Sequence, residues 1–282
     1  MPILIGFSGR KQSGKGTLCR FIADNAQEIL RPAVHEFPEG FITTDPSVAK
    51  VSMAGQLKRL CHELLGLRYQ QCYGSDADKN TTTHLRWEHL PHYHDIIEKC
   101  FHEAYEEALA AHRAQPWWCR LVERLLGSVQ THAANIAWLK IPVGYMTARE
   151  VLQQVGTEII RRMDPDAHSR ACIHEAMNSS ASVVLCDDLR FPDEIEAWQK
   201  VGGRVIRLTR ATDNHDSHVS ETKLDGYRGF DAVVDNGGHS VERTCCEILY
   251  LLQHWGIARQ DCDMSRLVFP LEGIEVREGL DN

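Results

Sequence analysis

The stretch Ile3-Leu4-Ile5-Gly6-Phe7-Ser8-Gly9-Arg10-Lys11-Gln12-Ser13-Gly14-Lys15-Gly16-Thr17-Leu18-Cys19-Arg20-Phe21-Ile22 decides the fold. Residues 3–7 form an apolar run of strand length, while Leu18, Phe21 and Ile22 recur at the spacing of one helix face. Between them, residues 9–17 read G-x-x-x-x-G-K with a hydroxyl two places after the lysine. Glycines at such a strand-to-helix junction let successive backbone N–H groups turn toward an anion. The helix N-terminus adds its partial positive charge, and Lys15 can bridge the outer phosphates. Gly9, Ser13, Gly14, Lys15, Gly16 and Thr17 are therefore expected to hold the phosphates of ATP or a close relative. Gly16 stands where Ser or Thr usually follows the lysine, which leaves Thr17 as the loop hydroxyl for a metal ion.

Working outward, short apolar runs recur at 183–186, 205–208 and 232–234, with a weaker one at 48–53. Helical patterns lie between them, at about 16–30, 93–113, 118–131, 147–162, 166–178, 192–200 and 240–255. This rhythm predicts an α/β chain: a three-layer P-loop NTPase fold with a mostly parallel five-stranded sheet, a helical insertion and a short lid. The insertion is expected at about 68–145, inside a kinase-like domain spanning 1–256. Residues 257–282 form a tail, with 267–269 and 274–276 able to pair as a hairpin around Pro270 to Gly273.

Bulk properties narrow the function. With 43% hydrophobic and 25% charged residues the chain is an ordinary globular protein. A net charge of -8 argues against a surface that neutralises a long nucleic-acid backbone, so no direct nucleic-acid binding is expected. Ten cysteines without a C-x-x-C pair look like free thiols of a reducing compartment, and the start MPILIGFSGR lacks the marks of a signal peptide. No run approaches a membrane span, so a cytoplasmic location is expected. His84, His89, His92 and His94, with Cys72 and Cys100 nearby, match no zinc spacing.

A second anchor lies at the end of the 183–188 run, where Asp187 and Asp188 sit at the carboxyl edge at which α/β sheets bind ligands. Carboxylates there can hold Mg²⁺ through water, and the planar fork of Arg190 suits a phosphate. Asp188-Leu189-Arg190-Phe191-Pro192-Asp193-Glu194 resembles the D-x-R-F-x-x-E segment of the deoxynucleoside monophosphate kinases of tailed bacteriophages. Three further segments agree in order. Ser52-Met53-Ala54-Gly55-Gln56-Leu57-Lys58 is similar to that family's S-F-A-x-x-L-K stretch. Residues 147–158 are similar to its T-x-R-x-x-L-Q-x-x-G-T-E helix, and Asp231-Ala232-Val233-Val234-Asp235-Asn236-Gly237 to its D-x-V-I-x-N-x-G turn. The resemblance covers about 1–66 and 145–255.

That resemblance implies an enzyme that uses Mg-ATP to convert a dNMP into a dNDP, encoded by a phage and acting in the host cytoplasm, as a possible homodimer. It implies that Lys58, Arg149 and Arg190 hold the acceptor monophosphate, with Gln153, Gly156 and Thr157 on the same helix as Arg149; Arg161 or Arg162, one to two turns after Gly156, could join them. Asn236 would lie near the donor adenine. Arg210 opens an irregular stretch, 211–229, that could close as a lid; within it His218 and Glu221 resemble a family H-x-S/T-E element. Lys15, Asp188, Arg190 and Arg210 would act on the moving phosphoryl group, and Thr17, Asp187 and Asp188 on the metal. Two other readings stay open: a dephospho-coenzyme A kinase on the same small fold, and a non-catalytic ATP sensor using 68–145 as a partner surface.

Overall fold

The structure is a computed structural model that describes residues 1–10, 12–37, 40–115, 128–210 and 223–270. The chain divides into two compact units, one of Met1–Gly66 with Gln153–Asn282 and one of Leu67–Leu152. In the first unit, strands β1 (Ile3–Gly9), β4 (Val48–Val51), β7 (Val183–Leu189), β8 (Arg204–Leu208) and β9 (Ala232–Val234) form a five-stranded sheet. Its order is β4-β7-β1-β8-β9, and its four pairings are all parallel. These strands cover the five apolar runs expected from the sequence.

Parallel strands are covered on both faces and so read as nearly continuous apolar runs. Alternation then divides the side chains between two cores. Ile5, Phe7, Leu185, Ile206 and Leu208 pack with Leu18, Phe21 and Ile22 of helix Lys15–Asp24 and with Ile248 and Leu252 of helix Val241–His254. Leu4, Val184, Cys186 and Val205 pack on the opposite face with Cys172 and Ala176 of helix Ala167–Met177 and with Ile195 and Trp198 of helix Pro192–Lys200. The result is the three-layer α/β sandwich that the sequence predicts. Burying a side chain as large as Phe7 or Trp198 contributes about 2–3 kcal/mol apiece before entropy is subtracted.

The expected helix at 16–30 breaks at Asn25, and Ala26–Ile29 is a separate short turn of helix. Asn25 explains the break. Its Nδ2 donates to Phe21 O and to Val268 O, each at 2.8 Å, and its Oδ1 accepts from Val268 N at 2.7 Å. The side chain thus stops the helix and pins the chain's tail, where Phe269 stacks on Phe21 with ring centroids 5.5 Å apart. The second arm of the expected terminal hairpin lies outside the described residues. Two strands not legible in the sequence, β2 (Ala33–Phe37) and β3 (Gly40–Thr44), pair as an antiparallel ribbon.

In the second unit, helices Tyr93–Ala114 and Ser128–Lys140 pack together over the small buried residues Ala104, Ala108, Ala133 and Ala137. Phe101 meets Trp138 edge to face at 6.0 Å. Strands β5 (Thr82–Arg86) and β6 (Tyr145–Thr147) pair antiparallel beside them. The expected helix at 118–131 falls largely outside the described residues, and the described helix continues to Lys140. Among the described residues no helix is long and apolar enough to cross a membrane.

Candidate functional site

The loop after β1 is shaped by backbone that turns the other way. Gly9 and Gly14 take φ 157° and 96°, and Gln12 takes φ 64°, a left-handed conformation rare outside glycine. Such reversals line N–H groups around a concavity that suits an anion. A Cβ on Gly9 would stand 2.5 Å from Ser13 Oγ and 3.0 Å from Leu208 O, so a larger residue there forces the Ser13 side chain to shift. Lys15 Nζ lies back across the loop, donating to Gly9 O at 2.6 Å and Arg10 O at 2.7 Å. The loop is held from β9 by the buried Asn236, whose Nδ2 donates to Ser13 O at 2.9 Å while its Oδ1 accepts from Arg210 N at 3.1 Å. Asn236, expected beside a base, is thus committed to the loop's backbone.

β7 carries the acidic pair through a bulge. Gly6 pairs with Cys186 but Ser8 with Leu189, so three residues of β7 advance against two of β1. The two carboxylates take different partners. Asp187 Oδ2 lies 3.6 Å from where a Cβ on Gly16 would stand, and 2.9 Å from Lys50 Nζ. Asp188 is consumed by structure: its carboxylate accepts from Ser52 Oγ at 2.6 Å, Met53 N at 2.8 Å, Ala54 N at 3.3 Å and Cys186 Sγ at 3.2 Å. It ties residues 52–54, and with them helix Gly55–Glu63 bearing Lys58, to the end of β7. Behind the loop, burial first and the Asp187 charge second push the Cys19 thiol well up.

Donor chemistry divides the expected metal residues accordingly. Asp187, half-buried and ending on the phosphate loop with Thr17 in the next turn, fits a hydrated Mg²⁺. Asp188, whose oxygens already serve four donors, does not fit.

Beyond β7 the backbone N–H groups of Arg190 and Phe191 donate to Glu194 Oε2 at 2.8 and 3.2 Å. Arg161 Nη2 reaches Glu194 Oε1 at 2.5 Å, and its guanidinium lies 4.1 Å from the Phe191 ring centroid. Burial pushes the Glu194 carboxyl up to about 7, against the pull of the Arg190 N–H and of Arg161. Gly156 is buried; a Cβ there would stand 2.6 Å from Leu57 Cδ2. Gln153 and Thr157 are exposed nearby in sequence, in a run that leaves the α-helix Ala148–Gln153 as a π-helix over Gln154–Arg161. Arg149 belongs to the second unit, where its Nε donates to Asn80 Oδ1 at 2.9 Å and its Nη2 pairs with Asp76 Oδ1 at 2.7 Å. Arg210 is exposed at the end of β8, and His218 and Glu221 lie outside the described residues.

One cation was not anticipated. Arg207, on β8, is 8% exposed and donates through Nη1 to Ser8 Oγ at 3.1 Å, with its Nη2 3.6 Å from Asp225 Oδ1. The other oxygen of Asp225 takes Arg10 of the phosphate loop at 2.8 Å. The available signal was a charged residue at an inward position of the strand Arg-Val-Ile-Arg-Leu.

A sequence profile of the deoxynucleotide monophosphate kinase family matches residues 3–244. A relative from Acanthamoeba polyphaga mimivirus, itself named provisionally as a deoxynucleotide monophosphate kinase, is 24% identical over 247 residues, which are 83% of this chain and 88% of the relative. With a phosphate loop, an acidic strand end and the Arg190 segment on one edge of a parallel sheet, and a match that runs over most of its length, this chain belongs to the deoxynucleotide monophosphate kinase family.

Proposed function

We propose that this kinase transfers the outer phosphoryl group of ATP to a deoxynucleoside monophosphate, giving dNDP and ADP. The observation that carries the reading is the carboxyl edge of β1 and β7 inside a chain matched by the family: the phosphate loop, Asp187 beside Gly16, and Arg161 and Arg190 both tied to Glu194. Transfer between two nucleotides needs alignment, exclusion of water and neutralisation of charge rather than a covalent intermediate. Residues 9–17 would take the donor phosphates, for which Lys15 must leave the carbonyls of Gly9 and Arg10. Magnesium, where bound, neutralises charge on the outer phosphates, and Asp187 with Thr17 would hold its water shell. Lys58, Arg161 and Arg190 would bind the acceptor phosphate; Arg149 is added on the resemblance alone.

The test is ADP formation by the purified chain with Mg-ATP and each dNMP, each NMP and dephospho-coenzyme A in turn. Turnover with at least one dNMP is expected. Turnover with dephospho-coenzyme A alone, or ATP binding without transfer to any acceptor, overturns the proposal.

A further inference from the structure

We infer that Glu194 is a positioning residue for the acceptor phosphate, setting the direction of two arginines at once; this rests on the dNMP kinase reading. Glu194 is the third residue of helix Pro192–Lys200, where a glutamate commonly reaches back to the N–H at the helix start. Here it does more. Its Oε2 accepts from the N–H groups of both Arg190 and Phe191, so the carboxylate dictates the backbone from which the Arg190 side chain leaves. Its Oε1 takes Arg161 Nη2, drawing in the last residue of a different element, the π-helix Gln154–Arg161. The Phe191 ring supports the guanidinium 4.1 Å from its centroid.

Two observations set this apart from an ordinary helix cap. Glu194 is 3% exposed, and a buried ion pair recovers little more than its own desolvation cost, so stability alone is a poor account of it. A guanidinium has five N–H donors. Among the described residues Arg161 spends one on Glu194 and lays its face on Phe191, while its side chain stays 22% exposed. A planar fork held on one side and open on another is the arrangement that grips a tetrahedral oxyanion. Its ligand is therefore the monophosphate of the acceptor nucleotide.

Glutamine separates the two duties, because its one amide oxygen can serve Arg161 or the two backbone N–H groups but not both. Glu194→Gln in the full chain should raise the KM for the accepted dNMP about tenfold while the KM for ATP stays within about twofold. Arg161→Lys, which keeps the charge but loses the fork, should do the same, and the double variant should be no worse than the worse single one. A dNMP KM unchanged in both variants, or KM values for the two nucleotides rising together, overturns the inference. Should Glu194→Gln fail to fold by circular dichroism, Arg161→Lys decides on the same readout. Wild-type protein that phosphorylates no dNMP sinks the functional proposal and this inference together; active wild type with unaffected variants sinks the inference alone.

Discussion

Asp187 and Asp188 are adjacent carboxylates with opposite duties, and the difference is measurable. Asp188 accepts four hydrogen bonds, two of them from the backbone N–H groups of Met53 and Ala54. Asp188→Ala should therefore lower unfolding free energy by about 2–3 kcal/mol, read from a urea titration. Among the described residues Asp187 pairs with a Lys50 side chain that is half in solvent, and such exposed pairs contribute little to stability. Asp187→Asn should leave the urea midpoint nearly unchanged and raise the Mg²⁺ concentration for half-maximal ADP formation about tenfold; the reverse pattern would exchange the two assignments. Glu194 adds a pH dependence. Its folded-state pKa of about 7 lies above the ordinary 4.5, so the folded chain holds that proton more tightly than the unfolded one. That stability is fully present below about pH 4.5 and is lost as pH rises through 7. Thermal melts should show Tm falling over that window, and Glu194→Gln should flatten the fall.

At the scale of elements, a bulge and a change of helix type decide which side chains reach the edge. The bulge between Gly6 and Ser8 lets Cys186 and Leu189 share one core although an unbroken strand would put them on opposite faces. The α-to-π change at Gln154 is likewise invisible to periodicity, since Val151 and Val155 suit either helix. Such departures from α-helical geometry need tertiary contacts to hold them and recur at functional sites. Here the contact is Gly156 on Leu57, a residue of the helix that also carries Lys58. Gly156→Ala should cost about 1–3 kcal/mol by overpacking, seen as a lower Tm, and should weaken acceptor binding more than ATP binding. A melt and a dNMP affinity both unchanged would show that Leu57 yields freely and that the close approach sets nothing.

For the whole molecule, charge and pattern speak first. A net charge of -8 predicts that a labelled DNA duplex titrated with the protein at physiological salt shows no saturable anisotropy change up to about 100 μM. Saturation at low micromolar protein would reveal a basic surface that the composition hides. The five core strands, the phosphate loop and the helices 93–114, 167–177 and 192–200 were legible because each is a local pattern: an apolar run, a glycine spacing, a helical period. The ribbon of β2 and β3 and the pairing of β5 with β6 were not, because their strands lack a sustained alternation and gain order only from a partner, in the second case some 60 residues away. Within the candidate site, the sequence by itself marked nine residues of loop as a glycine-rich strand-to-helix junction, and determined that two acids and an arginine would stand at the neighbouring strand end. Only the tertiary structure decided that Asp187 faces the loop while Asp188 binds residues 52–54, that Glu194 joins Arg161 to Arg190, and that Arg207 and Arg10 meet on Asp225. Those outcomes depend on which residue a bulge or a neighbouring helix places within 3 Å of a given oxygen. A one-dimensional pattern does not contain such distances, because a hydrogen bond depends on groups far apart in the chain arriving together.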